Sequence, residues 1–493
     1  MKNSALTFNW AIIVGAAAMA GALVAAVPWQ ASVALVVAAG VVGVLVFARL
    51  FLRAAPGTEE SAERRLIEER EDARLRAPRY LFYLGAGTMG LLTVRPALAL
   101  TLSDWIFFAC LGLTCAALLV SRTDRDYLVP VTITVGVGLF AAGGLLSSFG
   151  AVAAQQSVSI VARLVYLTVV WFWLATILLQ TREHVRNAAI AWVGSVALSS
   201  SGALLQYLYG DVIPGGDSAW GRMTGFTPHY NHLGGLVATA MAPALMLAVD
   251  ASRRWVRITG LGTVAFLGAG LLLSGSVGGL LATVTAVVFW LVVRGVPFRT
   301  GARLVAVVIV GTALLVTTGA SSVVDPLRRI ERVTSAEEAA AGTGGSLYTR
   351  LEGYEEAWAR IREQPLIGVG LDELSSQAVL GPKLVHNMLI NQWFSGGILA
   401  LVGIVVIIGG VALTGLRVVR SSVLEERAFS IALLGSVGAF VVFGMGEPIL
   451  FVRYGWFPAA LLIALDAQRR RREPATSPEK ALVRPATVGR TPT

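Results

Sequence analysis

Charged side chains are scarce in this chain: 14% of its 493 residues, against about 25% in an ordinary soluble domain. Cysteine occurs only twice, at Cys110 and Cys115, and histidine only four times. Residues five apart on a helix are rotated by roughly 500°, so no internal disulfide is expected, and no cysteine metal motif exists. The period-two alternation of a membrane β-barrel is missing as well, because the apolar runs are continuous. A soluble enzyme and a fibrous protein are excluded on the same grounds. What is abundant is apolar residues, 55% of the chain. At ~20 residues per crossing this supplies on the order of a dozen membrane spans. The expected fold is all-α, a polytopic helical integral membrane protein.

Breaks in the apolar runs place about 14 spans (12–14). They fall near 8–27, 31–52, 80–96, 103–121, 128–147, 158–180, 188–207, 231–249, 257–273, 276–293, 303–319, 387–414, 428–446 and 449–466. The chain divides into an N-terminal pair of spans (1–52), a charged linker (53–79) and a membrane core (80–319). A long loop (320–385), a second membrane core (386–466) and a basic tail (467–493), read as disordered, complete it. The linker mixes acids and bases at helical spacing, as a cytoplasmic connecting helix would. The first span is expected to be retained rather than cleaved, since a second follows at once.

Lysine and arginine collect in alternate connections. Arg122 and Arg125, Arg182 and Arg186, Arg253 and Arg254, Arg417 and Arg420, and Arg469 to Arg472 share one side, whereas 148–157 carries none. The positive-inside rule then makes both termini cytoplasmic and the 320–385 loop extracytoplasmic. The net charge of +10 is therefore a topology signal, and no nucleic-acid partner is expected.

Two segments on the outer side are longer than topology requires, and long loops concentrate function. In the longer one, Leu351, Tyr354, Trp358 and Ile361 form one stripe of an amphipathic helix that Pro365 ends. Arg350 lies in its first turn, beside free backbone N–H groups, which suits an anion such as phosphate; a solvated surface arginine is the alternative. A turn with two glycines follows, Pro365-Leu-Ile-Gly368-Val-Gly370. His386-Asn387 then opens the next apolar run. The positive end of a helix disfavours an imidazolium, and a neutral imidazole is what a general base requires; an interfacial histidine with a satisfied hydrogen bond is the bland reading. In the other loop Arg222 precedes His229, Tyr230, Asn231 and His232. Asn231 reads as a helix N-cap. His229 and His232 lack a nearby third ligand, so a metal is not expected. Glu447 and Arg453, flanking Pro448, read as an interfacial ion pair, with contact to substrate as the alternative.

Taken in order, these motifs resemble the O-antigen ligase and O-antigen polymerase family. The resemblance rests on Arg350, Trp358, Pro365 to Gly370, His386-Asn387 and Gln392-Trp-Phe-Ser-Gly396-Gly397. Upstream, Arg222-Met-Thr-Gly225, Pro228 to Asn231, and Ser274-Gly-Ser276-Val277-Gly-Gly279 add to it. One position departs: the family carries an arginine where this chain has Val277. Arg222, on the neighbouring loop, is the candidate to take over that charge.

The resemblance implies an inverting, metal-independent glycosyltransferase with no cofactor, placed in a bacterial inner membrane. The donor would be a glycan on undecaprenyl pyrophosphate, and the acceptor a glycan or lipid-linked sugar hydroxyl, during cell-surface polysaccharide assembly. His386 would be the base. Arg350 and Arg222 would hold the pyrophosphate. Asn387, Tyr354, Trp358, Tyr230 and Asn231 would shape the site or stack on sugars. Membrane lipids and a chain-length regulator or flippase are the implied partners. The alternatives are a protein O-oligosaccharyltransferase and a non-enzymatic polysaccharide or lipid transporter. A transporter predicts ionisable residues near the midplane of the bilayer, and the spans hold few.

Overall fold

A computed structural model describes residues 62–95, 100–121, 128–210, 213, 221–295, 347–381, 383–422 and 424–472. The spans expected near 8–27, 31–52 and 303–319, the first part of the long loop and the tail beyond residue 472 lie outside the described residues. Residues 467–472, expected to belong to a disordered tail, instead form the last turns of the C-terminal helix, where Gln468 and Arg471 are hydrogen-bonded to the bundle.

The described chain is helical. In order, the helices are α1 (Ala62–Gly87), α2 (Leu102–Ser121), α3 (Val131–Ser148), α4 (Ala154–Leu178), α5 (Arg182–Tyr209), α6 (Tyr230–Val249) and α7 (Arg254–Ser274). There follow α8 (Val277–Arg294), α9 (Leu347–Glu363), α10 (Glu373–Leu380), α11 (Met388–Ser421), α12 (Leu424–Gly444) and α13 (Arg453–Arg472). Among the described residues nine of these are long and apolar enough to cross a membrane: α2 to α8, α11 and α12. α13 matches them in length, with its apolar stretch from Trp456 to Ala464 buried and arginines at both ends.

One expected boundary does not exist. The linker ending at residue 79 and the span beginning at 80 are parts of a single helix, α1, which passes through Pro78 and stops at Gly87. The composition changes there, but the backbone does not.

Apolar side chains cannot drive helices together inside lipid, so close backbone packing has to do so. The α3–α11 pair shows this. A Cβ at Gly136 would lie 2.8 Å from the Gly403 carbonyl, and one at Gly143 would lie 2.6 Å from the Ala400 nitrogen. Deeper in the bundle, Phe82, Phe107, Trp171 and Phe457 stack edge and face, with Phe107 and Trp171 centroids 4.4 Å apart.

At one end of the bundle, the C-terminal carbonyls of α4 are met by polar donors. Arg79 Nε reaches the Leu178 carbonyl (2.9 Å), Gln468 Nε2 that of Leu179 (2.6 Å) and Arg471 that of Thr176 (3.0 Å). Cations at a helix C-terminus also complement its dipole. The opposite end gathers the termini of α6, α7, α8, α11, α12 and α13, together with α9.

Candidate functional site

The site is built on turns between helix ends, where backbone groups are not all committed to helix bonds. Asn387 is the N-cap of α11; its Oδ1 accepts from the Leu389 and Ile390 nitrogens at 3.0 and 3.1 Å. That cap fixes the residue before it, His386. The Tyr354 hydroxyl, from α9, donates to the His386 carbonyl at 2.8 Å. Burial raises the Tyr354 pKa above its ordinary value, so the phenol keeps its proton and remains a donor.

Glu447, in the turn between α12 and α13, joins the pieces. Its Oε2 lies 3.5 Å from His386 Nδ1, long for a hydrogen bond but within ion-pair reach. Its Oε1 receives Asn231 Nδ2 at 2.5 Å and lies 3.4 Å from Arg350 Nη2. Burial pushes the carboxyl up, but the adjacent His386, with Arg350 and His229 adding to it, more than offsets that, so the pKa falls below the usual carboxylate value. Glu447 is therefore an anion at neutral pH, and it is surrounded by donors. Sequence reasoning paired it with Arg453 instead. The structure gives Arg453 to Asp104.

Arg350 sits in the first turn of α9, and its Nη1 donates to the Gly446 carbonyl at 3.1 Å. Its Nε is buried and has no protein partner among the described residues. Arg222 is anchored three ways. Nε donates to the Ser274 carbonyl and Nη2 to Asn231 Oδ1, both at 2.9 Å, and the guanidinium lies over the Tyr230 ring at 3.2 Å. It thus lies against the Ser274–Val277 turn. Val277 itself is 38% exposed and carries no charge to that place.

Asn231 is not the N-cap expected from sequence. His229 caps α6, its Nδ1 accepting from the Asn231 nitrogen at 3.2 Å. The Asn231 amide bridges Arg222 to Glu447 instead, and those charge-assisted bonds outweigh a neutral cap. Tyr230 lies against Arg222 and the His229 ring, whose centroid is 3.8 Å away.

The amphipathic helix packs differently from its sequence stripe. Ala357 and Ile361 are buried, while Leu351 and Trp358 are 45% and 44% exposed. The Trp358 ring meets Trp393 edge-on at 5.4 Å and does not join the Glu447 cluster. Behind α9, the 365–370 turn inserts into α11. Val369 and Gly370 nitrogens donate to the Phe394 and Ser395 carbonyls (3.0 and 2.9 Å), and the Ile398 nitrogen donates to the Pro365 carbonyl (3.2 Å). Gly397 opens the helix there at φ 73°, a conformation glycine adopts without steric cost.

The structure therefore brings His386, Arg350 and Asn231 to one carboxylate, with Arg222 joined to it through Asn231 and with Asn387 and Tyr354 fixing the backbone at His386. Glu447 is the residue that sequence reasoning misassigned; its signal was an acid beside a proline at a span end, where a neighbouring arginine looked the natural partner.

Residues 262–405 match the family model described as O-Antigen ligase. That segment holds α7 from residue 262, α8, Arg350, the 365–370 turn and His386; Arg222 and Glu447 fall outside it. No curated protein matches the chain.

Proposed function

From the O-antigen ligase match over 262–405 and the cluster at Glu447, we propose that this chain is a membrane glycosyltransferase of the ligase or polymerase type. It moves a glycan from undecaprenyl pyrophosphate to a sugar hydroxyl at the outer leaflet of a bacterial inner membrane. The observation that carries the reading is that His386 and Arg350 approach the same Glu447 carboxylate, at 3.5 and 3.4 Å.

Each residue has a part in this reaction. Glu447 faces His386 Nδ1, which leaves Nε2 to take the acceptor proton. The carboxylate then stabilises the imidazolium that forms, as an acid behind a histidine does in other hydrolytic and transfer sites. Arg350 and Arg222 face the developing charge on the departing pyrophosphate. Arg350 Nε, a buried donor without a protein partner, is available to a phosphate oxygen. Guanidiniums held in place before the reaction stabilise that charge without reorganising. Attack by the hydroxyl opposite the leaving phosphate inverts the anomeric centre, and no metal is needed where arginines carry this load.

Glycan profiling of a strain lacking the gene tests the class. Single repeats, or full-length glycan stranded on its lipid carrier, are the expected outcomes; the first marks a lost polymerase and the second a lost ligase. An unchanged glycan profile contradicts the reading.

A further inference from the structure

Six residues beyond Glu447 the chain enters a second arginine cluster that the reaction above does not use. Asp104, 2% exposed at the start of α2, accepts from the Thr101 nitrogen and Oγ1, each at 2.9 Å. It also binds Arg453 through both carboxylate oxygens, Nε to Oδ1 at 2.6 Å and Nη2 to Oδ2. Its charge is thus committed to Arg453. Two contacts bring further arginines beside it. The Leu102 nitrogen, at the start of α2, donates to the Val94 carbonyl next to Arg95 at 2.9 Å. Tyr166, one turn after Arg163 on α4, stacks on Phe108, one turn after Asp104, with centroids 4.8 Å apart. Arg163 is thereby within electrostatic range of Arg453, Asp104 and Arg95. Arg163 and Arg95 are both exposed, and neither forms an ion pair among the described residues. Among the described residues, three guanidiniums against one carboxylate leave two positive charges without an ion-pair partner.

Two features separate this cluster from scattered surface arginines. Arg163 stands just before a π-helical turn, Tyr166–Val170, a register break that recurs at functional sites. The cluster also adjoins the first site. His232 is in electrostatic range of both Arg95 and Glu447, and its Nδ1 is 3.3 Å from the hydroxyl of Tyr454, the residue after Arg453. The two clusters therefore flank the same α12–α13 turn. Guanidinium forks match phosphate oxygens in geometry as well as charge.

We propose that Arg95, Arg163 and Arg453 form a second phosphate site, distinct from Arg222 and Arg350, that takes the phosphate of a second lipid-linked molecule. Resting on the function proposed above, this makes the acceptor a glycan carried, like the donor, on a polyprenyl pyrophosphate, and the reaction a polymerisation. Asp104 fixes Arg453, while Arg95 and Arg163 supply the charge that has no ion-pair partner among the described residues.

Native mass spectrometry of the purified full chain, titrated with polyprenyl pyrophosphate, tests this. The wild type binds two molecules. Arg95→Ala/Arg163→Ala, changed at exposed positions, binds one, and so does Arg222→Ala/Arg350→Ala; melting temperatures verify that each variant is folded. A wild type that binds one molecule, kept by Arg95→Ala/Arg163→Ala and lost by Arg222→Ala/Arg350→Ala, overturns the second site and leaves the donor site standing. The reverse pattern overturns the donor site. Displacement of the second molecule by excess phosphatidylglycerol assigns the cluster to phospholipid headgroups and overturns the acceptor assignment.

Discussion

Three side chains reach the Glu447 carboxylate, and each would be placed differently without it. His386 would lose the group facing Nδ1, Arg350 its ion pair, and Asn231 the acceptor for its amide. Glu447→Gln keeps the shape and removes the charge. We expect transfer activity to fall on the order of 10²-fold, the size associated with a small misplacement of reacting groups, with little change in KM for the donor. A kcat equal to the wild type's would contradict this. The same variant carries a pH prediction. A carboxyl held below the usual value, about 4.3 for glutamate, stabilises the fold above that value and loses the contribution as pH falls through its lowered pKa. The melting-temperature gap between wild type and Glu447→Gln should therefore be full at neutral pH and close as pH falls below the usual glutamate range. A gap that stays constant over that fall would count against the ionised carboxylate. Arg222 has a further test of its own, because among the described residues it is the guanidinium hydrogen-bonded at the α7–α8 turn. Arg222→Ala should cost on the order of 10²-fold or more in kcat, as loss of a charge-stabilising donor does; full activity would remove Arg222 from the site.

Elements were legible where one pattern sets them and illegible where two compete. Spans expected near 103–121, 231–249 and 257–273 lie within a few residues of α2, α6 and α7, because length and continuous hydropathy alone define them. The break expected at residue 79 failed because a charged helix and an apolar helix can be one backbone. The α9 stripe failed in part for a related reason. Its periodicity gave the helix, but not which neighbouring face would meet the protein, since a tryptophan at an interface is as well placed outward as inward. The Pro365–Gly370 turn was readable as a turn; its insertion into α11 was not, because that depends on a partner far along the chain. Gly397 is the element-scale test. A Cβ there would lie 2.3 Å from the Leu366 carbonyl, and the backbone conformation, φ 73° with ψ −176°, is one that only glycine adopts readily and that costs an L-residue on the order of 1–3 kcal/mol. Gly397→Ala should lower the melting temperature, whereas Gly409→Ala, where a Cβ meets nothing within 4 Å, should not. Equal effects would contradict the inserted turn.

For the whole molecule, the positive-inside rule predicts an orientation with the Glu447 cluster outside and the arginines around the α4 C-terminus inside. Cysteine labelling examines this directly. In a Cys115→Ala background, which removes the exposed native thiol, Glu356→Cys on exposed α9 should react with an impermeant maleimide in intact spheroplasts. Arg253→Cys, before α7, should react only after permeabilisation. The opposite pattern would invert the molecule and strand the site away from an outer-leaflet donor.

The central claim is that one imidazole and its arginines perform glycan transfer. It is tested most directly by purified protein in lipid bilayers, supplied with a polyprenyl-pyrophosphate glycan and a sugar acceptor. His386→Ala should reduce turnover by roughly 10²- to 10⁴-fold, the range for loss of a general base, while the folded variant still binds the donor lipid. Wild-type turnover in that variant would contradict the account.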